Sequence, residues 1–421
     1  DACDGKEQGM KRVLLMTVGT GTRPDVDIAK PLVKSIKNSR PDLTCLIVTE
    51  ASEKHGRRIC REMGWPDDDV RWMMRKLPDP DNFEKVFLFV NETIQEIAAR
   101  GYCTDDIEVD FTSGTKAMSA GALLASVLNR CGTAKYITGE RRAGTVIDGT
   151  EEFRAISPSR VFALHDIRLV EEMIKNLRFA AAGSILAGLD REGLGPDNAS
   201  RIRELQSAVQ GFSAWEIFDH RTAYNKLRTL TASETRDFPI APSPEAVEML
   251  ERLGKGIKRP DADILADLYN NASRRGHEGK YDDAVARLYR LTELFAQQVL
   301  HREFRLDTGD MELSLVPATL RDRFEKLRDS REGKIKIGLH AAYETLAKLG
   351  HRTGCLYMED STLQGLLRER NRSILAHGLH PVPKSVYEGL RARVSRLVSS
   401  EVQDFEGICS IVQFPWLSGV L

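Results

Sequence analysis

The densest run of groups able to act on a phosphodiester lies late in this 421-residue chain, at Arg370-Asn371-Arg372-Ser373-Ile374-Leu375-Ala376-His377. An imidazole titrates near neutrality and can take or give a proton, whereas a guanidinium keeps its planar charge at every working pH. Cleaving RNA without a metal calls for such groups. A ribose 2'-hydroxyl must be deprotonated or aligned, the leaving 5'-oxygen protonated, and the charge on the phosphorane offset. The helix-like run Ser361 to Leu367 is expected to carry on through this segment. At about 100° per residue, Arg370 and His377 then fall within about 20° of each other, and Arg372 lies about 140° away. Asn371 can hold the geometry. A plainer reading also stands: a solvated arginine face with a histidine capping the helix before Gly378. His377 and His380 offer a pair with metal-ligand spacing, but no HExxH motif or nearby cysteine accompanies them, and no metal site is assigned. The basic run Arg321 to Lys336 reads as a solvated helix end or as a patch guiding RNA.

Two further clusters lie near the other end of the chain. Gly19-Thr20-Gly21-Thr22 and Thr112-Ser113-Gly114-Thr115-Lys116 each follow a short apolar run and precede a helical one. At such junctions, free backbone N–H groups and the helix dipole favour anions, and glycine lets a ligand approach the main chain. Neither loop has the GxGxxG fingerprint or the Walker lysine spacing, which argues against NAD or ATP. If both strands are parallel neighbours, the loops meet at the carboxyl edge of the sheet. Hydroxyls, amides and Lys116 then converge on phosphate or ribose, and Arg23 or Met118 can pair a phosphate or pack a base. Alternatively, the first loop is an empty tight turn, and Thr112 or Ser113 is an N-cap.

The elements needed to position these clusters are legible as a pattern. Arg12 to Val18 and Leu43 to Val48 are nearly all apolar, as in strands buried on both faces of a parallel sheet. Helices are expected over Asp27 to Ile36, about Glu53 to Met63, about Asn82 to Arg100, and Ala117 to Leu128. Ile107 to Phe111 and Lys135 to Thr138 supply further strands, and ERRAGTV with TEEFRAI reads as a closing hairpin. From about Arg160 the apolar period changes to 3.6. The expected fold is therefore an α/β Rossmann-like parallel-sheet N-terminal domain followed by an all-α helical C-terminal region. The expected division is 10–158, an intermediate helical region 159–245 ending in the proline-rich Arg236 to Glu245, and 246–421.

Lys+Arg (61) and Asp+Glu (62) nearly cancel, so any nucleic-acid site must be local. The seven cysteines are scattered, with no CxxC pair, which fits a reducing compartment rather than a disulfide framework or a zinc site. No apolar run approaches the roughly 20 residues that span a bilayer. Asp1 to Gly9 is polar, without a signal-peptide core, and a cytoplasmic location is expected.

Taken together, these segments resemble the CRISPR-associated Rossmann fold (CARF) effectors of type III CRISPR systems that carry a C-terminal HEPN ribonuclease domain. The likeness is carried by VGTGT, DFTSGTKAMSAGALLA, EGKYDDAVARLYRLTELFAQ and RNRSILAHG. It implies a cyclic oligoadenylate, cyclic tetra- or hexa-adenylate, as allosteric activator bound across a CARF homodimer, with no other cofactor. It also implies that two HEPN domains form one composite, metal-independent site on single-stranded RNA, with no stable attachment to the CRISPR surveillance complex. Carried onto this chain, the messenger contacts are Gly19, Thr20, Gly21, Thr22, Arg23, Thr112, Ser113, Gly114, Thr115, Lys116 and Met118. The catalytic set is Arg370, Asn371, Arg372 and His377. The family spacing, an arginine five before the histidine, falls on Arg372, while the Arg-Asn pair begins at Arg370, so the identity of the catalytic arginine is open. Two other readings stand beside this one: a sensor whose helical half only recruits a partner, and a sensor that also cleaves its cyclic ligand.

Overall fold

The structure is a computed structural model that describes residues 11–21, 28–142, 145–146, 149–189, 194–231, 240–256, 261–376 and 378–418. It divides into two compact units, Asp1–Leu169 with Ile185–Ser200 and Val170–Ser184 with Arg201–Leu421.

The first unit alternates strands and helices: β1 (Val13–Val18), α1 (Ala29–Ser39), β2 (Leu43–Val48), α2 (Glu53–Met63), β3 (Trp72–Lys76), α3 (Phe83–Ala99), β4 (Ile107–Asp110), α4 (Lys116–Leu128) and β5 (Thr133–Thr138). A small hairpin, β6 (Arg141–Arg142) with β7 (Thr145–Val146), precedes β8 (Glu152–Ile156). The six-stranded sheet has the order β3-β2-β1-β4-β5-β8, parallel except for β8. Every residue of β1 and β2 is buried, because helices cover both faces. Val86, Val90 and Ile94 of α3 and Met118, Ala122 and Ala125 of α4 pack on one face, and Leu32 and Ile36 of α1 and Ile59 and Cys60 of α2 on the other. The chain winds outward from β1 through β2 to β3, then returns to the other side of β1 with β4. That reversal puts the carboxyl ends of β1 and β4 at the topological switch point, where sheets of this kind bind ligands.

Two sequence expectations are corrected in this unit. Trp72–Lys76 forms a strand where none was expected; it is only partly buried, and its Arg75 and Lys76 break the apolar signal. The second arm of the expected closing hairpin, β8, pairs with β5 instead, Ala134 opposite Ile156 through Thr138 opposite Glu152, while the first arm folds on itself as β6 and β7.

Beyond β8 the described secondary structure is essentially helical: α5 (Pro158–Lys175), α6 (Phe179–Ala187), α7 (Gly195–Glu216), α8 (His220–Thr231), α9 (Pro244–Gly254), α10 (Ala262–His277), α11 (Tyr281–Phe304), α12 (Ala318–Glu325), α13 (Leu339–Lys348), α14 (Arg352–Glu359), α15 (Ser361–Glu369), α16 (Lys384–Val398) and α17 (Phe405–Ile411). The core of the second unit holds ions as well as hydrocarbon. Arg274 of α10 is wholly buried; its Nε donates to Glu216 of α7, its Nη1 donates to Gln413 at 2.9 Å, and its guanidinium lies 4.0 Å from the centre of the Phe414 ring. Burial pushes its pKa down to about 10, against the pull of Asp267 and Glu278. Asp267 accepts from Trp215 Nε1 at 2.7 Å and lies 2.8 Å from His220 Nε2, so its carboxylate too is paired. Arg236 to Pro239, the first part of the proline-rich break, lies outside the described residues.

Candidate functional site

At the switch point the loop after β4 is held by its own side chains. Asp110, fully buried at the end of β4, accepts from the Thr112 amide at 3.0 Å, from the Thr112 hydroxyl and from the Ser35 hydroxyl of α1. Thr112 Oγ1 in turn accepts from the Ile137 amide of β5 at 2.9 Å. Ser113 reaches the neighbouring strand: its Oγ accepts from the Gly19 amide at 3.0 Å, and its carbonyl accepts from the Thr17 hydroxyl. The two loops therefore touch. A Cβ on Gly19 would stand 2.6 Å from the Gly114 nitrogen, so only glycine allows the approach. The N-cap of α4 is Thr115, whose Oγ1 accepts from Met118 N at 3.2 Å and also donates to the Pro80 carbonyl. Thr112 and Ser113, N-caps on the alternative reading, are committed instead to the sheet and to Gly19. Thr20, Gly21, Gly114 and Lys116 are exposed at this edge. Met118 does not face the edge as expected, but is buried beneath Gly114, because the α4 turn points it into the core. Thr22 and Arg23 lie outside the described residues.

The arginine cluster in the second unit is built differently. Asp360 caps α15, accepting from Leu363 N at 2.8 Å and from Arg393 Nη1 at 2.7 Å, and the helix ends at Glu369. Arg370–Arg372 form a single 3-10 turn, and Ser373 turns extended with ψ 163°. The shared helix face expected for Arg370 and His377 is thus corrected. The Arg372 carbonyl, which a helix would give to residue 376, accepts from His380 N at 3.1 Å, while Ala376 N donates to the Ser373 carbonyl at 3.0 Å. The chain doubles back, and Gly378 permits it: a Cβ there would stand 2.0 Å from the Arg372 oxygen. His377 lies outside the described residues.

The two arginines differ. Arg370 is partly buried, its guanidinium 4.9 Å from the centre of the Tyr289 ring of α11, and its Nε is buried with no hydrogen-bond partner among the described residues. Arg372 has a side chain 70% exposed and is paired with Glu369 at 3.2 Å. Asn371 is exposed, and so are the large apolar side chains Ile374, Leu375 and Leu379, the last at 83%. Tyr289 carries no local signal, because it reaches the turn from a distant helix. Much of the basic run from Arg321 is neutralised on the surface, with Arg323 on Glu344, Arg328 on Glu325 and Lys336 on Glu332.

A family model described as the Csm6 HEPN domain matches residues 255–401, which span α10 to α16 and the arginine turn. The chain is 26% identical over 332 residues to the CRISPR system endoribonuclease Csm6 of Thermus thermophilus, covering 71% of this chain and 69% of that relative. The solved structure of Enterococcus italicus Csm6 bound to cyclic hexa-2'-fluoro-hexa-dAMP matches 97% of this chain and 99% of its own with a TM-score of 0.58, at 14% identity. The HEPN match lies wholly within the helical part of the chain, and the Csm6 fold runs through nearly all of it. The helices around the arginine turn are the part matched by the HEPN model. In this chain Gly19, Ser113 and Gly114 meet directly, and Arg370, Asn371 and Arg372 share one turn. Among the described residues, no three His, Cys, Asp or Glu side chains are grouped to hold a metal ion, and no helix is long and apolar enough to cross a membrane.

Proposed function

We propose that this chain is an endoribonuclease for single-stranded RNA, switched on by a cyclic oligoadenylate and working without a metal ion. The observation that carries the reading is the arginine turn at Arg370–Arg372 inside the HEPN-matched segment, mounted on α15. Its donor set is guanidinium, amide and, with His377, imidazole. Such groups handle protons and anionic charge rather than ligate a cation. In the proposed reaction the 2'-oxygen attacks the adjacent phosphorus as the bond to the 5'-oxygen breaks, leaving a 2',3'-cyclic phosphate and a 5'-hydroxyl; His377 moves the proton lost from the 2'-hydroxyl or gained by the 5'-oxygen, and an arginine offsets the charge that builds on the phosphorane oxygens. Asn371 holds the RNA in register. Ile374, Leu375 and Leu379 flank the turn with exposed apolar surface suited to a second copy of the chain, and we assign the active form as a homodimer.

The activator is assigned to the switch point of the sheet. There Gly19, Thr20, Gly21 and Thr112 to Lys116 offer amides, hydroxyls and one ammonium to phosphates and riboses, with Thr22 and Arg23 continuing the first loop. Met118 supports that surface from below. We divide the chain functionally into a sensor at 10–158, an intermediate block at 159–245 and the nuclease at 246–421, and we place its action in the cytoplasm as part of type III CRISPR defence, without stable attachment to the surveillance complex.

The test is cleavage of a fluorescent single-stranded RNA by the purified chain in EDTA, with cyclic tetra-adenylate, cyclic hexa-adenylate or no ligand. Cleavage that appears with one ring and persists in EDTA is the expected result. No cleavage under any condition overturns the reading and favours a sensor that recruits a partner.

A further inference from the structure

The resemblance leaves two arginines competing for one role, and the environment of each distinguishes them. Arg372 is extended into solvent, and its charge is partly offset by Glu369. Fixing it against a phosphate means breaking that pair and ordering a long, freely moving side chain. Arg370 has neither handicap. Its guanidinium lies against the Tyr289 ring, and its Nε is enclosed without a partner among the described residues. The stem side of the fork is therefore closed off, and among the described residues no carboxylate is ion-paired with it. A planar cation lying on a ring is restrained in tilt yet keeps its terminal N–H groups for a bidentate anion.

The helix that carries the ring is well anchored. The ring projects from α11, which packs against the arginine turn. On the same helix the Thr292 carbonyl accepts from the Tyr343 hydroxyl at 2.8 Å, and Tyr343 stacks on Tyr357 with centroids 4.0 Å apart and planes at 12°. Burial, with help from Glu293, raises the Tyr289 pKa above its ordinary value, although Arg370 opposes this. The phenol is neutral at working pH. What it offers Arg370 is the face of the ring, not a phenolate.

We propose that Tyr289 is a positioning residue whose ring face aims Arg370, rather than Arg372, at the scissile phosphate. This rests on the ribonuclease reading above. Substrate binding depends on many contacts, so loss of the ring should act on turnover more than on affinity for RNA.

The test uses the full chain with its activating cyclic oligoadenylate and measures kcat and KM for RNA. Replacing Tyr289 with phenylalanine should leave kcat within about twofold, and Tyr289→Leu should lower it roughly tenfold with KM little changed, the scale of a partly desolvated cation–ring contact. A series of ring-fluorinated phenylalanines at position 289 keeps the shape while draining the ring face of negative potential, and kcat should fall stepwise with fluorine number. Arg370→Ala should lower kcat far more than Arg372→Ala does. A flat fluorine series, a Tyr289→Phe variant as impaired as Tyr289→Leu, or loss of turnover in Arg372→Ala with Arg370→Ala still active each overturns the assignment. If Tyr289→Leu does not fold, the fluorinated series alone decides. Wild-type chain that cuts no RNA with any ring overturns the ribonuclease reading and this role with it. Active wild type with a flat series overturns this role alone.

Discussion

At the carboxyl ends of β1 and β4, the groups of the sensor edge hold one another: Asp110 takes Thr112 and Ser35, Ser113 takes Gly19 and Thr17, and Thr115 takes Met118 and the Pro80 carbonyl. Around the arginine turn the backbone is closed by its own bonds, Ser373 is buried, and Asn371, Ile374, Leu375 and Leu379 are exposed. The first region is shaped before any ligand arrives, so binding there costs little ordering. The second fixes a backbone, with Arg370 against Tyr289 and Arg372 on Glu369, and leaves its other side chains to solvent. On the proposed function that difference is apt: a sensor discriminates by shape, whereas a composite catalytic site is completed only on assembly.

The comparison breaks most visibly at Arg370. With the ribonuclease reading, Arg370→Ala should lower single-turnover RNA cleavage by about 100-fold or more, as removal of one preorganised charge does. Cyclic-oligoadenylate affinity by calorimetry should not change. Joint loss of both would show that the two regions are not separable. Next comes Gly19→Ala. The added methyl meets backbone at Gly114, which cannot swing aside, so about 1–3 kcal/mol of strain is expected. A lowered melting temperature and at least tenfold weaker messenger binding should follow; unchanged values would mean that the loops do not need their close approach.

Ser113→Ala is a finer probe. It removes the acceptor for the Gly19 amide and should cost about 1 kcal/mol in stability, with a several-fold loss of messenger affinity in the same titration. The smallest effect concerns the mount of the turn. Burial tends to raise the Asp360 pKa, but the Leu363 amide and Arg393 outweigh it and hold the carboxyl below its ordinary value. A lowered folded-state value stabilises above the unfolded pKa, about 3.9, and that contribution fades as pH falls through the folded value. Asp360→Asn should therefore be less stable than wild type by under about 1 kcal/mol near neutrality, given the partial exposure of the pair. The difference between urea midpoints should shrink below about pH 4; a gap constant with pH would exclude the charge as its source.

What the sequence made legible follows the same contrast. β1, β2 and α2 were readable because burial on both faces leaves an unbroken apolar run and a helical face leaves a period. β3 was not, since an edge strand ending in Arg75 and Lys76 has half its surface in solvent. β8 was readable as a strand but not in its pairing: glycines advertise a local turn, whereas the partner is chosen by the distant β5. The sensor loops stood out because strand, glycine and helix start are adjacent in sequence. The cap of α4 was misplaced from Thr115 to Thr112 or Ser113, because hydroxyls three residues apart are equivalent until their long-range partners are known. At the other site, Arg370, Asn371 and Arg372 were visible as types, but helical periodicity was carried past Glu369, where the chain doubles back. Tyr289 could not be linked to Arg370 by spacing at all.

The wholly buried Arg274 bears on how such proteins can be inherited. The HEPN match begins at residue 255, yet the charges inside α10 find their counterparts upstream, Arg274 on Glu216 and Asp267 on Trp215 and His220. A recombination event that moved only the matched segment into a new gene would leave Arg274 and Asp267 with each other, 3.9 Å apart, but strip both of their hydrogen-bond partners upstream in a dry interior, where an under-satisfied ion pair is costly. The heritable cassette for this nuclease block therefore includes α7 and α8, and a graft that respects the motif but ignores those two helices should yield an insoluble product.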